Sequence, residues 1–299
     1  MTKRFRILLL CLFGFYFRYF PLRKGKIPVM NLLDKIGLTK DISLTHSFDK
    51  NILINLNLND WIQKQIFYFG RYEIEKNETL FWQNIIKPKQ YVFDIGANIG
   101  YYTLQALARV GSEGRVFSFE PVAATFKKLR DNINLNNFSN AIIEKLALLD
   151  KRDKIELYIA DETSIGSSSI SMHVNFSGEK EFADAISLDE YVIEKNINKI
   201  DIIKIDVEGC ESRVIEGMKN VMNSFKPLIL IEVNQERLQT TGSSKEKLFE
   251  QFYINDFEAF EIISANEIKR IFTPKEGILI LFKHKSKSLP EYIRLFKDN

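Results

Sequence analysis

A glycine-rich loop is the part of this sequence whose residue types and spacing point most directly to ligand chemistry. It reads Asp94-Ile95-Gly96-Ala97-Asn98-Ile99-Gly100, after an apolar run that begins at Tyr91. The residues from Tyr101 to Val110 follow at once and have a helix-like pattern. Gly96 and Gly100 allow the backbone to turn sharply and to approach a ligand closely. We therefore predict a strand, a tight loop and a helix, with a carboxylate where the strand ends.

A second carboxylate, Glu120, closes the next apolar run, RVFSFE. An acid about 20 residues beyond such a loop commonly binds a ribose at the carboxyl edge of an open α/β sheet. The loop itself is not G-x-G-x-x-G, because Asn98 lies between two glycines that are spaced four apart. It therefore lacks the second glycine that lets the backbone contact a pyrophosphate in dinucleotide sites.

S-adenosylmethionine fits these residues better than a dinucleotide does. It has no phosphate, but it has a ribose, an ammonium and a sulfonium cation. Asp94 at the loop entrance suits a cationic ligand, and Glu120 suits a ribose diol. A generic α/β turn with a helix-capping acid, or a nicotinamide or flavin site, remain the alternatives for this loop.

Several stretches of the sequence resemble the FkbM family of S-adenosylmethionine-dependent methyltransferases. In chain order they are YVFDIGANIGYYTL, VFSFEPVAATFKKLRDNINLNN, LALLD, SLDEYV, IDIIKIDVEGCESRVIEGM and KPLILIEV. The resemblance covers roughly residues 55 to 240. It implies S-adenosyl-L-methionine as cofactor and methyl transfer, typically to a hydroxyl oxygen of a sugar or natural product. The predicted cofactor-binding residues are Asp94, Gly96, Ala97, Asn98, Gly100 and Glu120.

The resemblance also implies a class I methyltransferase fold, which is an α/β, Rossmann-like fold. Its sheet is mostly parallel and seven-stranded, with helices on both faces. The residue pattern agrees, because strand-like and helix-like segments alternate, as in a parallel sheet covered on both faces. We predict strands at 91–95, 115–119, 141–145, 154–160, 201–206, 228–233, 257–263 and 277–283, and helices at 99–110, 122–136, 188–195, 212–223 and 244–254.

The chain divides into four parts in this interpretation. Residues 1–30 form a basic and apolar arm, and residues 31–88 form an extension of helices and strands. In that extension Asp60 is expected to cap a helix from Trp61 to Phe69 that ends at Gly70. The catalytic domain spans 89–285, and 286–299 is expected to be a tail helix. The small polar residues 164–171 are expected to form a mobile loop.

The fourth strand of the class I sheet contains charges where such strands are usually apolar. It reads I-D-I-I-K-I-D-V-E-G, and Lys204 and Asp206 should share a face, which Glu208 joins if the alternation continues past the strand. Because the first, fourth and fifth strands are neighbours in that sheet, Asp94, Asp206 and Glu232 should meet at its carboxyl edge.

These carboxylates are the candidates for orienting or deprotonating an acceptor hydroxyl. Asp206 is the first candidate for a catalytic residue, Glu208 the second and Glu232 the third. The structural alternative is that Lys204 only neutralises a buried acid. No metal site is predicted, because His46, His173 and His284 lie outside the motifs and carboxylate clusters alone are ambiguous.

The charge distribution bears on partners and location. The 42 basic and 39 acidic side chains give a net charge of +3, but residues 1–33 hold seven basic groups and no acid. The remaining chain is thus mildly acidic, which disfavours nucleic acid as a partner and RNA modification as a function. Two cysteines, Cys11 and Cys210, form no disulfide framework and indicate a cytoplasmic compartment. The expected partner is a small-molecule or glycan acceptor.

The arm contains eleven consecutive apolar or glycine residues, Ile7 to Phe17. A bilayer span needs about 20, and Arg18 interrupts the run. Two hypotheses remain: a helix packed on the domain, or weak peripheral contact of residues 1–26 with the inner membrane face. For the whole chain, an NAD(P)-dependent oxidoreductase and a non-catalytic binding protein are the alternatives to a methyltransferase.

Overall fold

Helices and strands alternate through most of the chain in the computed structural model, which describes residues 2–19, 25–160 and 176–296. The predicted loop at 164–171 and His173 lie outside these residues. The helices are α1 Lys3–Tyr19, α2 Lys26–Lys35, α3 Trp61–Phe69, α4 Lys76–Ile85, α5 Tyr101–Val110, α6 Ala123–Asn134, α7 Leu188–Glu194, α8 Glu211–Glu216, α9 Lys219–Phe225, α10 Gln235–Thr240 and α11 Lys245–Tyr253. The strands are β1 Ser43–Phe48, β2 Ile52–Asn57, β3 Tyr91–Ile95, β4 Arg115–Phe119, β5 Ala141–Glu144, β6 Ala147–Leu149, β7 Asp153–Ala160, β8 Phe176–Ser187, β9 Ile202–Ile205, β10 Leu228–Val233, β11 Phe257–Ser264, β12 Glu267–Ile271, β13 Gly277–His284 and β14 Arg294–Leu295.

A large mixed sheet forms the centre of the molecule and confirms the predicted α/β fold. Its strand order is β14-β12-β11-β13-β10-β9-β3-β4-β5, and the five strands from β10 to β5 are parallel. The order from β5 to β11 gives seven strands, as predicted, and β12 and β14 extend the sheet to nine. The strand β12 was not predicted, and it pairs antiparallel with β11.

The prediction is also wrong for the tail and for one helix. The tail expected as a helix over 286–299 instead contributes β14, which pairs with the otherwise open edge of β12. The helix expected over 212–223 is two helices, α8 and α9, separated at Gly217. A Cβ atom on Gly217 would lie 1.9 Å from the carbonyl oxygen of Leu149, so the chain passes too close to β6 for an ordinary helical side chain there.

Both faces of the parallel strands are buried because their side chains alternate between two cores. Val92 of β3 belongs to the core that contains α1, α3, α4 and α5. Its neighbour Phe93 belongs to the opposite core, which contains α7, α8, α9 and α11. Phe252 of that second core stacks on Phe282 of β13 with ring centroids 3.7 Å apart. The sheet is therefore packed on both faces beneath the residues at its carboxyl edge.

The residues before β3 share the first core and cover one side of this edge. Helix α3 begins as predicted, because the Asp60 side chain accepts a hydrogen bond from the Gln63 N–H, and it ends at Gly70 with φ of 72°. Helix α1 packs on α3 through Leu10, Gly14 and Phe17. The arm therefore packs on the domain, and within the described residues no helix has the length and apolarity that a bilayer crossing requires.

Removing the cap of α3 should destabilise the protein. Asp60→Ala leaves an N-terminal N–H of α3 unpaired and should lower the free energy of unfolding by about 1 kcal/mol. Asp60→Asn keeps a capping oxygen and should remain close to wild type. Urea unfolding followed by circular dichroism measures both, and equal losses for the two variants would contradict this role of Asp60.

Candidate active site

The predicted loop wraps over the carboxyl end of β3 and is held by its neighbours. The N–H groups of Gly96 and Ala97 donate to the Phe119 carbonyl oxygen at 3.0 and 2.9 Å. Gly96 has φ of 79°, and a Cβ atom there would lie 1.8 Å from the carbonyl oxygen of Asp206. Only glycine fits this approach of two backbones. Asn98 also has a positive φ, 51°, and its side chain accepts from the Ile99 N–H.

Glu120 lies beside this loop, where the sequence placed it. One carboxylate oxygen accepts from the Asn98 N–H and the other from the Val122 N–H, each at 3.0 Å. A carboxylate has about four acceptor positions, so capacity remains for a ligand. Burial raises the pKa of Glu120 to about 7.

A cleft whose lining residues are mostly apolar opens next to Glu120. This apolar cleft has a volume of about 710 Å³, part of it open to solvent. Glu120, Asp206 and Glu208 are its acidic lining residues. Its apolar walls include Phe119, Val122, Leu146, Leu148, Ile155 and Leu157. Such a cleft suits a flat, largely apolar ring that carries a hydroxylated group toward Glu120.

A second, polar cleft of about 540 Å³ also borders the loop. Helix α3 and the segment before α4 supply much of its wall, including Asp60, Gln63, Tyr72 and Glu75. Gly96, Asn98 and Asp206 line both clefts. The loop and Asp206 therefore form a border that the two clefts share.

A buried lysine lies between two of the predicted acids. Lys204 Nζ is 3.1 Å from Asp206 Oδ2, 3.9 Å from Asp94 Oδ1, and 4.7 Å from the centre of the Tyr102 ring. Burial lowers the pKa of Lys204, but Asp206, Asp94 and Glu75 outweigh it and raise that pKa above its ordinary value. Lys204 is therefore a permanent cation in the sheet.

Asp94 faces the interior and does not line either of the two clefts. It is fully buried, and its Oδ2 atom accepts from Thr103 Oγ1 at 2.6 Å. Burial raises its pKa, while Lys204 opposes this rise. The structure thus places Asp94 beneath the loop, where it pairs with Lys204 and fixes the start of α5. Direct contact of Asp94 with a cationic ligand stays a prediction.

The three predicted catalytic acids converge at the carboxyl ends of β9 and β10. One oxygen of each of Asp206, Glu208 and Glu232 lies within 4.8 Å of the others. Arg237, which the sequence interpretation missed, bridges Glu208 and Glu232, with 3.0 Å between Arg237 Nη1 and Glu232 Oε2. Oxygens so arranged could hold a divalent cation. Because Arg237 already supplies positive charge, we keep the prediction that no metal binds here.

The acids of this cluster differ in their affinity for protons. Burial raises the pKa of Glu208 to about 8, and burial together with Asp206 raises that of Glu232 well above its ordinary value. Burial also acts to raise the pKa of Asp206, but Lys204, Glu232 and Arg237 together outweigh it and lower that pKa. Asp206 therefore stays ionised at neutral pH, and 31% of its side-chain surface is open to the clefts.

The polar cleft contains functional candidates that the sequence analysis did not identify. Glu75 accepts a hydrogen bond from the Tyr102 hydroxyl, and burial raises its pKa to about 7. Tyr72 lines the same wall, and its ring lies 6.1 Å from that of Trp61. Glu75 belongs to none of the sequence motifs. Its position beside Lys204 and Asp206 follows only from the packing of the segment before α4 on α5.

Comparison with known proteins gives a family match across the described site. Residues 94–261 match the model of the methyltransferase FkbM domain. The chain is 26% identical over 143 residues to the hexuronic acid methyltransferase AglP of Haloferax volcanii, covering 48% of this chain and 55% of AglP. It is 26% identical over 165 residues to the 2-O-methyltransferase NoeI of Sinorhizobium fredii, covering 51% and 66%.

Two further similarities concern proteins that are longer than the shared region. The AMB antimetabolite synthetase AmbE of Pseudomonas aeruginosa is 23% identical over 239 residues, which are 69% of this chain and 11% of AmbE. The chain thus spans less than two thirds of the length of AmbE, AglP and NoeI. A solved FkbM methyltransferase from Methylobacillus flagellatus has a TM-score of 0.41 at 14% identity, covering 86% of this chain and 58% of that one.

Adding a methyl group at position 96 should weaken the binding of the cofactor to the loop. Gly96→Ala should weaken S-adenosylmethionine binding at least about a hundredfold, because the loop or the end of β9 must move. Gly37→Ala is the matched control, since Gly37 has a similar φ of 72° and nothing within 4 Å of its added Cβ. Calorimetric titration measures both; equal affinity in the two variants would overturn this role of the loop.

The ligand-free protein should lose stability as pH rises from about 6.5 to 8.5. Glu75, Glu120 and Glu211 have pKa values of about 7, and Glu208 of about 8, because burial favours their protonated forms. In the unfolded chain these groups titrate near 4.3, so the folded state binds more protons in this window. His46, whose burial lowers its pKa to about 4, acts in the opposite direction but only below about 6.5.

Denaturant unfolding at a series of pH values measures this slope. Glu208→Gln should flatten it between about pH 7 and 8, where folded Glu208 still binds a proton that the unfolded chain has already released. Asp184→Asn, an exposed acid on β8, is the matched control and should leave the slope unchanged. Stability that rises with pH across this window in the wild type would contradict the assignment.

Proposed function

This chain belongs to the FkbM methyltransferase family, and from that premise we propose that it methylates a hydroxyl oxygen of a sugar, glycan or related metabolite. S-adenosylmethionine is the donor that the family implies. The observation that supports the proposal best is the position of Asp206, an ionised and accessible carboxylate where the apolar and polar clefts meet. A transferase for two substrates needs such a junction.

The apolar cleft fits the adenosine part of the cofactor. Its walls are aliphatic and aromatic, and Glu120 keeps acceptor capacity for the ribose hydroxyls. Gly96 lets the loop lie directly against the Asp206 carbonyl oxygen, and Asn98 lines both clefts. When bound, S-adenosylmethionine supplies a methyl group activated by a positively charged sulfur.

The polar cleft fits a hydroxyl-rich acceptor. Gln63 and Glu75 offer hydrogen-bonding groups, and the Tyr72 ring offers an apolar face. The printed names of two relatives agree with this chemistry, since AglP is a hexuronic acid methyltransferase and NoeI a 2-O-methyltransferase. An acceptor with several hydroxyls on an apolar ring framework is the class that these walls support.

Methyl transfer to oxygen requires alignment and the loss of one proton. The acceptor oxygen forms a bond to the methyl carbon while the bond from that carbon to sulfur breaks, and the hydroxyl proton leaves. We assign Asp206 to accept the hydrogen bond of that hydroxyl and so to orient it. Lys204 keeps Asp206 ionised and in place. Glu208 and Glu232 follow as candidates, because Arg237 holds both of them.

Glu75 is a second group that can take up the proton. Its pKa of about 7 makes it a better proton acceptor at neutral pH than Asp206, whose pKa is lowered. It lines the same cleft as Asp206, and its electrostatic interaction with Asp206 raises its pKa further. Asp206 is therefore the orienting carboxylate, and Glu75 is the group to which the proton can pass.

Replacing Asp206 should remove transfer while largely preserving cofactor binding. In Asp206→Asn, turnover should fall about a hundredfold or more, while S-adenosylmethionine affinity should change less than about tenfold. The assay follows labelled methyl transfer to oligosaccharides containing glucuronic acid. The same oligosaccharides with every hydroxyl blocked should accept no methyl group.

The conservative control is again Asp184→Asn, which lies outside both clefts and should keep full turnover. Glu75→Gln should lower turnover mainly at pH values where wild-type Glu75 is ionised. Near-normal turnover of Asp206→Asn would remove Asp206 from the mechanism. Binding of S-adenosylmethionine without methylation of any of these oligosaccharides would reject the acceptor class.

A further inference from the structure

Helix α1 is apolar on two opposite faces. Leu10, Gly14 and Phe17 are buried on one face, where they pack on the domain. On the other face, five large apolar side chains are exposed at alternating spacings of three and four residues. Their exposed fractions are 51% for Phe5, 57% for Leu8, 60% for Leu12, 64% for Phe15 and 69% for Tyr19. We call these five residues the outer face of α1.

The spacing shows that these residues form one continuous stripe. Residues three and four apart lie on the same side of a helix, so the stripe extends along nearly the whole length of α1. Single exposed apolar residues are ordinary on protein surfaces, but a contiguous stripe of this size marks an interaction surface. Cys11 is also exposed on α1. Between Phe5 and Tyr19, the outward side of the helix therefore presents only uncharged side chains.

The two charged residues within that span turn toward the protein and fix the helix. Arg6 Nε donates to the Leu38 carbonyl oxygen at 3.1 Å. Arg18 donates to the Phe67 carbonyl oxygen and contacts His46. The Lys26 ammonium group donates to the Phe17 carbonyl oxygen near the end of α1. The helix is therefore anchored on the domain through one side, and its outer face points away from the domain.

Charge identifies what the outer face contacts. Lys3 and Arg4 are exposed at the first turn of α1, and residues 1–33 contain seven basic groups and no acid. An apolar stripe flanked by basic side chains matches the boundary region of a bilayer that contains anionic lipids. Two copies of α1 packed face to face would bring only like charges together, which disfavours a second copy as the occupant.

We propose that the outer face of α1 docks this protein on the surface of an anionic bilayer. Phe5, Leu8, Leu12, Phe15 and Tyr19 enter the boundary between head groups and acyl chains, and Lys3 and Arg4 contact anionic head groups. The helix lies along the surface and does not cross the membrane. This proposal does not depend on the proposed reaction, since vesicle binding requires neither cofactor nor acceptor.

Vesicle flotation of the full chain tests the proposal. The wild type should float with vesicles of phosphatidylcholine and phosphatidylglycerol, and less with phosphatidylcholine alone. The triple variant Leu8→Glu, Leu12→Glu, Phe15→Glu should bind at least about tenfold more weakly, because three charges replace inserted apolar groups. Lys3→Gln with Arg4→Gln should reduce binding to the anionic vesicles only, and raised salt should reproduce that loss.

The matched control replaces three exposed apolar residues elsewhere on the surface. Ile193, Ile254 and Phe272 are 75%, 70% and 79% exposed, and their triple replacement by Glu should leave flotation unchanged. Circular dichroism and thermal unfolding check that each variant is folded. The proposal fails if the wild type does not float, or if a folded α1 variant floats as the wild type does. It also fails if the wild type does not bind vesicles and ultracentrifugation without lipid shows a dimer that the α1 substitutions dissociate.

Discussion

The charge balance around Lys204 is the interaction on which the carboxyl edge of the sheet depends. A lysine in the middle of a parallel sheet is costly unless it is paired, and Lys204 is paired with Asp94 on β3 and with Asp206 just beyond β9. Removing one partner of such a buried set would leave charge without compensation. The ion pairs therefore tie the strand that carries the loop to the strand that carries the orienting carboxylate.

This arrangement explains why so many acids can lie close together near one edge. Asp206 is ionised because Lys204 is beside it, whereas Glu208 and Glu232 have raised pKa values and share Arg237. Acids crowded in this way keep protons until another positive charge arrives. A cationic methyl donor is a charge of that kind, so the site is electrostatically suited to the donor that the family uses.

The segment before the sheet contributes to both proposals. Helix α3 and the residues from Tyr72 to Glu75 form the wall of the polar cleft, opposite the sheet edge. Helix α1 packs behind α3 and carries the outer face proposed to bind a bilayer. The acceptor wall and the proposed membrane face thus belong to one packed layer. If both proposals hold, the acceptor cleft is held at a fixed position relative to the lipid surface.

The sequence alone determined the features that depend on neighbouring residues. Local backbone preferences and side-chain periodicity depend only on contiguous residues. They account for the strand, loop and helix around Gly96, the cap at Asp60 and the apolar strands β3, β4, β9 and β10. The family resemblance added the order of the strands and hence the meeting of Asp206 with Glu232.

Only the tertiary structure decided the rest, because it depends on which distant segments pack together. It turned Asp94 inward to Lys204, brought Arg237 between two acids and placed Glu75 beside Asp206. It also made the tail a strand, since the open edge of β12 offered hydrogen bonds that a solvated helix would not use. Apolar residues of α1 look alike in sequence, and only packing on α3 separated the buried face from the exposed one.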